Sequence, residues 1–174
     1  MRGLMAVLTR DAIFAELDAG RFRIEPFSRD QVGAASIDLT LGEEIRVIDV
    51  GPEPIDVRSE ADFRDHTHVL RLDGPYVLYP GHTIHGITRE RISLPGDLCG
   101  FLEGRSRFAR LGLMIHVTSA FVQPGVHNRQ VLEMSNVSDR PLRLHAGVRI
   151  CQIVLMRTEG AAVYDGRFAD QDAI

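Results

Sequence analysis

The chain has 174 residues, 44% of them hydrophobic and 25% charged, a balance that excludes disordered, collagen-like and membrane-spanning classes. Its 20 basic and 24 acidic residues give a formal charge of -4, so neither a nucleic-acid backbone nor an anionic bilayer is an expected partner. Every basic residue is Arg, and without Lys there is neither a P-loop lysine nor a Schiff base.

The opening stretch, Met1 to Val7, is too short for a signal h-region, and the expected compartment is the cytoplasm. A helix follows: Thr9 can cap it, Asp11 sits in its first turn, Ile13, Phe14 and Leu17 share a face, and Gly20 stops it. Ser36 to Leu41 then alternates, which places Ile37, Leu39 and Leu41 on a buried strand face with Asp38 opposite. Similar runs recur at Glu44–Val50, His68–Leu72, Tyr76–Tyr79, Thr83–Ile87, Leu98–Leu102, Met114–Val122, Arg129–Met134, Leu142–Leu144 and Val148–Met156. Turn signals such as Pro80-Gly81 and Pro95-Gly96-Asp97 separate them, and the pattern predicts a mainly β sandwich, jelly roll or barrel in one domain, 1–174. Gly51 to Asp65, acidic and proline-containing, reads as an exposed excursion. A second helical turn is expected at Arg107 to Leu111, with Ser106 as cap and Gly112 as left-handed stop. Cys99 and Cys151 read as two reduced thiols, able to form at most one bridge.

Two stretches carry candidate chemistry. Arg105, Ser106, Arg107 and Arg110 cluster where a short helix begins, and guanidinium groups match phosphate oxygens in bidentate fashion. Ser106 as a plain cap, with arginines paired to surface carboxylates, is the alternative. On the strand around Glu133, Val131 and Ser135 share its face while Leu132 and Met134 share the other. Glu133 is then either a base in an apolar pocket, its pKa raised by burial, or a solvated strand glutamate. The histidines read as surface or structural: His66 and His68 share a strand face, His82 and His85 do not, and neither pair has a third metal ligand at a known spacing. Zinc-deaminase, nucleophile-elbow and dinucleotide-loop patterns are absent.

Five segments together resemble the dCTP deaminases, relatives of the trimeric dUTPases: Gln31 to Gly42, Leu78-Tyr-Pro-Gly81, Leu102-Glu-Gly-Arg-Ser106, Ala109 to Leu113 with His116, and Val131-Leu-Glu133 with Asn136. The resemblance implies a distorted jelly-roll barrel that assembles as a homotrimer with sites between subunits. It implies conversion of dCTP to dUTP and ammonia in pyrimidine deoxynucleotide synthesis, without zinc, with Mg²⁺ arriving on the triphosphate. Glu133, Ser106 and Arg110 would be catalytic; Arg105, Arg107, Ser119, Gln123 and Val131 would hold substrate. Tyr164, Arg167 and Gln171 would do so from a lid formed by residues 160–174, shorter than usual because the chain stops soon after Gln171.

Four departures from the family pattern stand out. Arg107 replaces a second serine, Ser119 a frequent alanine, and Arg167 a lysine. Gln123 replaces the aspartate that holds the ribose and serves phosphate hydrolysis in dUTPases, so the expected product is dUTP with little dUMP. The alternatives are a bifunctional enzyme or dUTPase giving dUMP, and a non-catalytic nucleotide-binding trimer.

Overall fold

The computed structural model describes residues 6–116 and 118–174, so Met1 to Met5 of the opening stretch and Val117 of the expected Met114–Val122 strand lie outside the described residues. Helix α1 (Arg10–Asp18) buries Ile13 and lays Phe14 and Leu17 against the core. Thr9 stands at its N-cap in extended conformation, but its side chain makes no cap; the first turn closes through the Ile13 N–H and the Thr9 carbonyl at 2.8 Å.

The strands are β1 (Arg23–Glu25), β2 (Ile37–Ile48), β3 (Thr67–Arg71), β4 (Tyr76–Leu78), β5 (Thr83–Ser93), β6 (Leu98–Gly104), β7 (Leu113–Ile115), β8 (Phe121–Val122), β9 (His127–Asn136), β10 (Leu142–Leu144) and β11 (Arg149–Arg157). Among the described residues nine of them form one antiparallel sheet in the order β7-β9-β5-β2-β11-β6-β8, with β1 on β5 and β3 on β2, while β4 and β10 pair separately. The sheet curls into a half-barrel of jelly-roll type, the mainly β fold expected. Its core is the alternating face of each strand: Ile37, Leu39 and Leu41 from β2, Leu132 and Met134 from β9, Ile153 and Leu155 from β11. Burying each such side chain stabilises the fold by about 1.5–3 kcal/mol.

Three expected boundaries differ. The runs Ser36–Leu41 and Glu44–Val50 join into β2, because a bulge between Leu41 and Ile45 keeps the chain extended through Gly42. Glycine is needed there, since a Cβ at Gly42 would lie 2.9 Å from both Arg129 Nη2 and the Ile87 carbonyl oxygen. The run Met114–Val122 breaks into β7 and β8, and His116 takes a left-handed φ of 60° just after β7. Helix α2 (Ser106–Ala109) begins one residue earlier than expected, so Arg105 and not Ser106 occupies the N-cap; Gly112 does turn left-handed, at φ 87°.

The excursion 51–65 is exposed almost throughout. Cys99 and Cys151 are free and buried. On adjacent strands Cys99 faces Met156 and Cys151 faces Gly104. The two thiols thus sit five rungs, or ~16 Å, apart, too far for a bridge. Among the described residues no helix is long and apolar enough to cross a membrane.

Candidate active site

Glu133 projects from β9 beside three other polar groups on one rung of the sheet. His85 on β5 is its register partner, and Arg46 on β2 is in turn the partner of His85. On the other side the chain leaving β7 brings His116 level with Glu133: the His116 N–H donates to the Glu133 carbonyl at 2.9 Å, and its Nδ1–H donates to Glu133 Oε2 at 2.6 Å. The left-handed turn at His116 aims the imidazole this way, a conformation that costs a non-glycine residue free energy and is held by the surrounding contacts.

Burial by itself would raise the Glu133 carboxyl, as the sequence led us to expect. The hydrogen bond and charge of His116, a backbone N–H and His85 outweigh burial and hold it below the ordinary glutamate value. Glu133 is therefore a carboxylate at neutral pH, ready to accept a proton. His85 is lowered from its ordinary 6.5 chiefly by burial, with a smaller push from the Arg46 charge, and these together outweigh the upward pull of Glu133.

Glu133, His116 and His85 wall a cavity of about 400 Å³, the size of a small-molecule site, whose other sides include Ser119, Gln123, Arg129, Val131, Tyr164 and Gln171. The tail reaches it by strand-like bonds along β9: the His127 and Arg129 N–H groups donate to the carbonyls of Ala169 and Gln171 at 3.1 and 2.9 Å. Arg167 lines the adjoining cleft and donates to Asp62 Oδ2 at 2.9 Å.

Arg105, Ser106 and Arg107 line a different pocket of the same chain, with Asp38, Asp30 and Gln152. Arg105 pairs with Asp38 at 3.0 Å and donates to the Arg149 carbonyl at 3.1 Å. Burial raises the Asp38 carboxyl, against the pull of Arg105, Arg149 and Arg107. Arg110 caps the C-terminal end of α2 and is exposed. One chain thus gathers Glu133, Val131, Ser119, Gln123, Tyr164 and Gln171, and holds Arg105, Ser106 and Arg107 apart from them. Asn136 plays a structural part, its amide donating to the Leu78 and Arg140 carbonyls at 2.9 and 2.8 Å. Sequence reasoning missed His85, read as surface or structural, and Arg129; only the β5–β9 register brings His85 beside Glu133.

The sequence profile of dCTP deaminase-like proteins matches residues 7–158. The chain belongs to this family. A "dCTP deaminase, dUMP-forming" of Parafrankia sp. (strain EAN1pec) is 36% identical over 96% of this chain and 87% of its own. The protein of the same description from Rhodococcus opacus (strain B4) is 41% identical over 91% and 84%. Among solved structures, the 2'-deoxycytidine 5'-triphosphate deaminase of Agrobacterium tumefaciens superposes with a TM-score of 0.70 at 22% identity, covering 90% of this chain and 49% of that one. A native EIAV dUTPase superposes with a TM-score of 0.51 at 15% identity, over 84% and 96%. At these identities the structures show the shared fold, into which the dCTP deaminase-like chain places Glu133, His116 and the tail around one cavity.

Proposed function

We propose that this dCTP deaminase-like chain hydrolyses the C4 amine of dCTP, with Glu133 as the proton carrier. The observation that carries the reading is the ionised Glu133, hydrogen-bonded to His116 at 2.6 Å in the wall of a cavity of about 400 Å³. Glu133 takes a proton from the water that adds to C4 and passes it toward the ring nitrogen and the departing ammonia. A purely nucleotide-binding module has no use for such a carboxylate.

The arginine pocket supplies the rest of the site from a neighbouring copy. In a homotrimer with sites between subunits, Ser106 orients the water or the amine, Arg105 and Arg107 hold phosphates, and Arg110 reaches in beside Glu133. Tyr164, Arg167 and Gln171 close the site from the tail, with Val131, Ser119 and Gln123 lining it. Mg²⁺ enters on the substrate's triphosphate.

The relatives' names favour a second step, hydrolysis of dUTP to dUMP and pyrophosphate. Gln123 is a neutral amide and speaks for release of dUTP. Asp38 speaks for the second step, because it is a carboxylate raised by burial among the arginines that would hold the phosphates. Incubating the purified protein and its Glu133→Gln variant with dCTP and Mg²⁺, while resolving ammonia, dUTP, dUMP and pyrophosphate, tests both steps. Loss of ammonia release by ~10²-fold or more in the variant is the expected outcome, and near-normal release refutes the assignment.

A further inference from the structure

The rung Arg46–His85–Glu133–His116 places an imidazole on each side of the proposed base, and only His116 is bonded to it. Directly opposed residues of antiparallel strands have Cβ atoms ~5 Å apart and point to the same face, so His85 and Glu133 look into the same cavity. His85 is held on its far side by Phe63, whose ring meets it edge-on at 6.2 Å. The Arg46 guanidinium behind it is buried, lies 5.3 Å over the same Phe63 ring, and donates to the Thr67 hydroxyl at 3.0 Å and the Ile174 carbonyl at 2.9 Å. Arg46 is therefore fixed, and its charge bears on His85 at every working pH.

We infer that His85 is a positioning residue for the reaction: neutral, it leaves Glu133 a competent base, and protonated, it neutralises Glu133 and stops proton abstraction. The inference rests on the reading of Glu133 as proton carrier. The charged or titratable groups facing the pair are Arg46 from β2, Glu133 and Arg129 from β9, and His116 beyond β7; from the tail Tyr164 and Gln171 line the cavity. Burial, helped by Arg46 and only partly offset by Glu133, lets a cation form at His85 only at acid pH, below the ordinary 6.5 of histidine. Once formed, it adds a cationic ring on the side of Glu133 opposite His116. A carboxylate stabilised in that way gains little by taking a proton from water. The carboxylate itself is held below its ordinary 4.5.

The pH dependence of kcat/KM for ammonia release tests this, because it reports the groups of the free enzyme. The acid limb of the unaltered protein should follow His85, with about a tenth of the plateau left one pH unit below its midpoint. The γ-phosphate of the substrate titrates too, but identically for every variant compared. In His85→Gln the acid limb, normalised to that variant's own plateau, should move to lower pH, and an unmoved limb overturns the inference. In His85→Arg, a permanent cation, kcat should fall at least ~10-fold at neutral pH with the circular dichroism spectrum retained; full activity overturns it. A ¹H–¹⁵N titration of the histidine rings in the unaltered protein needs no variant. Its His85 midpoint must match the acid limb, and a gap above about half a pH unit also overturns the inference. If Glu133→Gln keeps its turnover, the base assignment fails; if that variant is dead while the limb ignores His85, only this inference fails.

Discussion

His116 holds Glu133 twice, by its backbone N–H on the Glu133 carbonyl and by its ring on the Glu133 carboxylate. Both bonds depend on the left-handed φ of 60° at residue 116, so a backbone conformation and a charge state are fixed together. Asn tolerates that conformation and Val resists it. His116→Asn should keep the fold and lower kcat ~10-fold or more, through a carboxylate that has lost its partner. His116→Val should also lower stability, by about 1–3 kcal/mol of backbone strain. Thermal unfolding and steady-state kinetics separate the two: equal melting temperatures would show that the turn does not select its residue.

Glu16 ties α1 to the sheet by accepting from Arg157 at 2.6 Å and Arg21 at 2.9 Å. Burial pushes its carboxyl up, but the two arginines outweigh burial and hold it below the ordinary 4.5. A depressed carboxyl stabilises above the unfolded-state pKa and loses that contribution as pH falls through the folded-state value. Both arginines are partly exposed, so screening limits the effect to about 1 kcal/mol, or roughly 2–4 °C in melting temperature. Glu16→Gln should melt lower by that amount at pH 7, and the gap should narrow as pH falls below the ordinary 4.5 of glutamate. A gap that persists in acid would assign the loss to packing.

The fold was legible because its signal is local. Ile37, Leu39 and Leu41 alternate, and a half-buried strand is the one element that buries all three. Gly112 turned left-handed where a glycine closed a helical turn. The Glu133 face of β9 followed from the same alternation, and the family resemblance singled out Glu133 and His116. What escaped was register. Nothing in the run Thr83–Ile87 states which residue of a distant strand His85 will oppose, and the sign of the Glu133 shift depends on partners that only tertiary structure assembles. Ser106 missed the cap position by one residue because the chain leaves β6 already extended at Arg105.

The separation of Glu133 from the Arg105–Ser106 pocket within one chain leads to a complementation test. Glu133→Gln and Ser106→Ala should each be inactive alone. If sites form between subunits of a trimer, random co-assembly of equal amounts leaves about one site in four with both groups intact. Co-expressed mixtures should then recover about a quarter of the unaltered activity. No recovery, with mixed trimers demonstrated by mass, would mean that each site draws both groups from one chain.

A test of the product centres on Asp38. Cleavage of dUTP to dUMP and pyrophosphate needs a water deprotonated near the phosphate chain, and Gln123 has no proton-accepting carboxylate to offer. Asp38 has one, 3.0 Å from the Arg105 guanidinium and raised by burial into a better range for proton transfer. Within one chain it lies in the arginine pocket and not beside Glu133, so if it serves the second step, mutation should separate the two steps. With dCTP and Mg²⁺, dUMP and pyrophosphate should rise in step with ammonia in the unaltered protein. In Asp38→Asn ammonia release should continue while dUTP accumulates and dUMP falls by ~10²-fold, the usual loss when a general base is removed. Gln123→Asp in that background restores a carboxylate to the cavity and should recover part of the dUMP. Accumulation of dUTP by the unaltered protein would instead tie product release to Gln123 and leave Asp38 as the anchor of Arg105 alone.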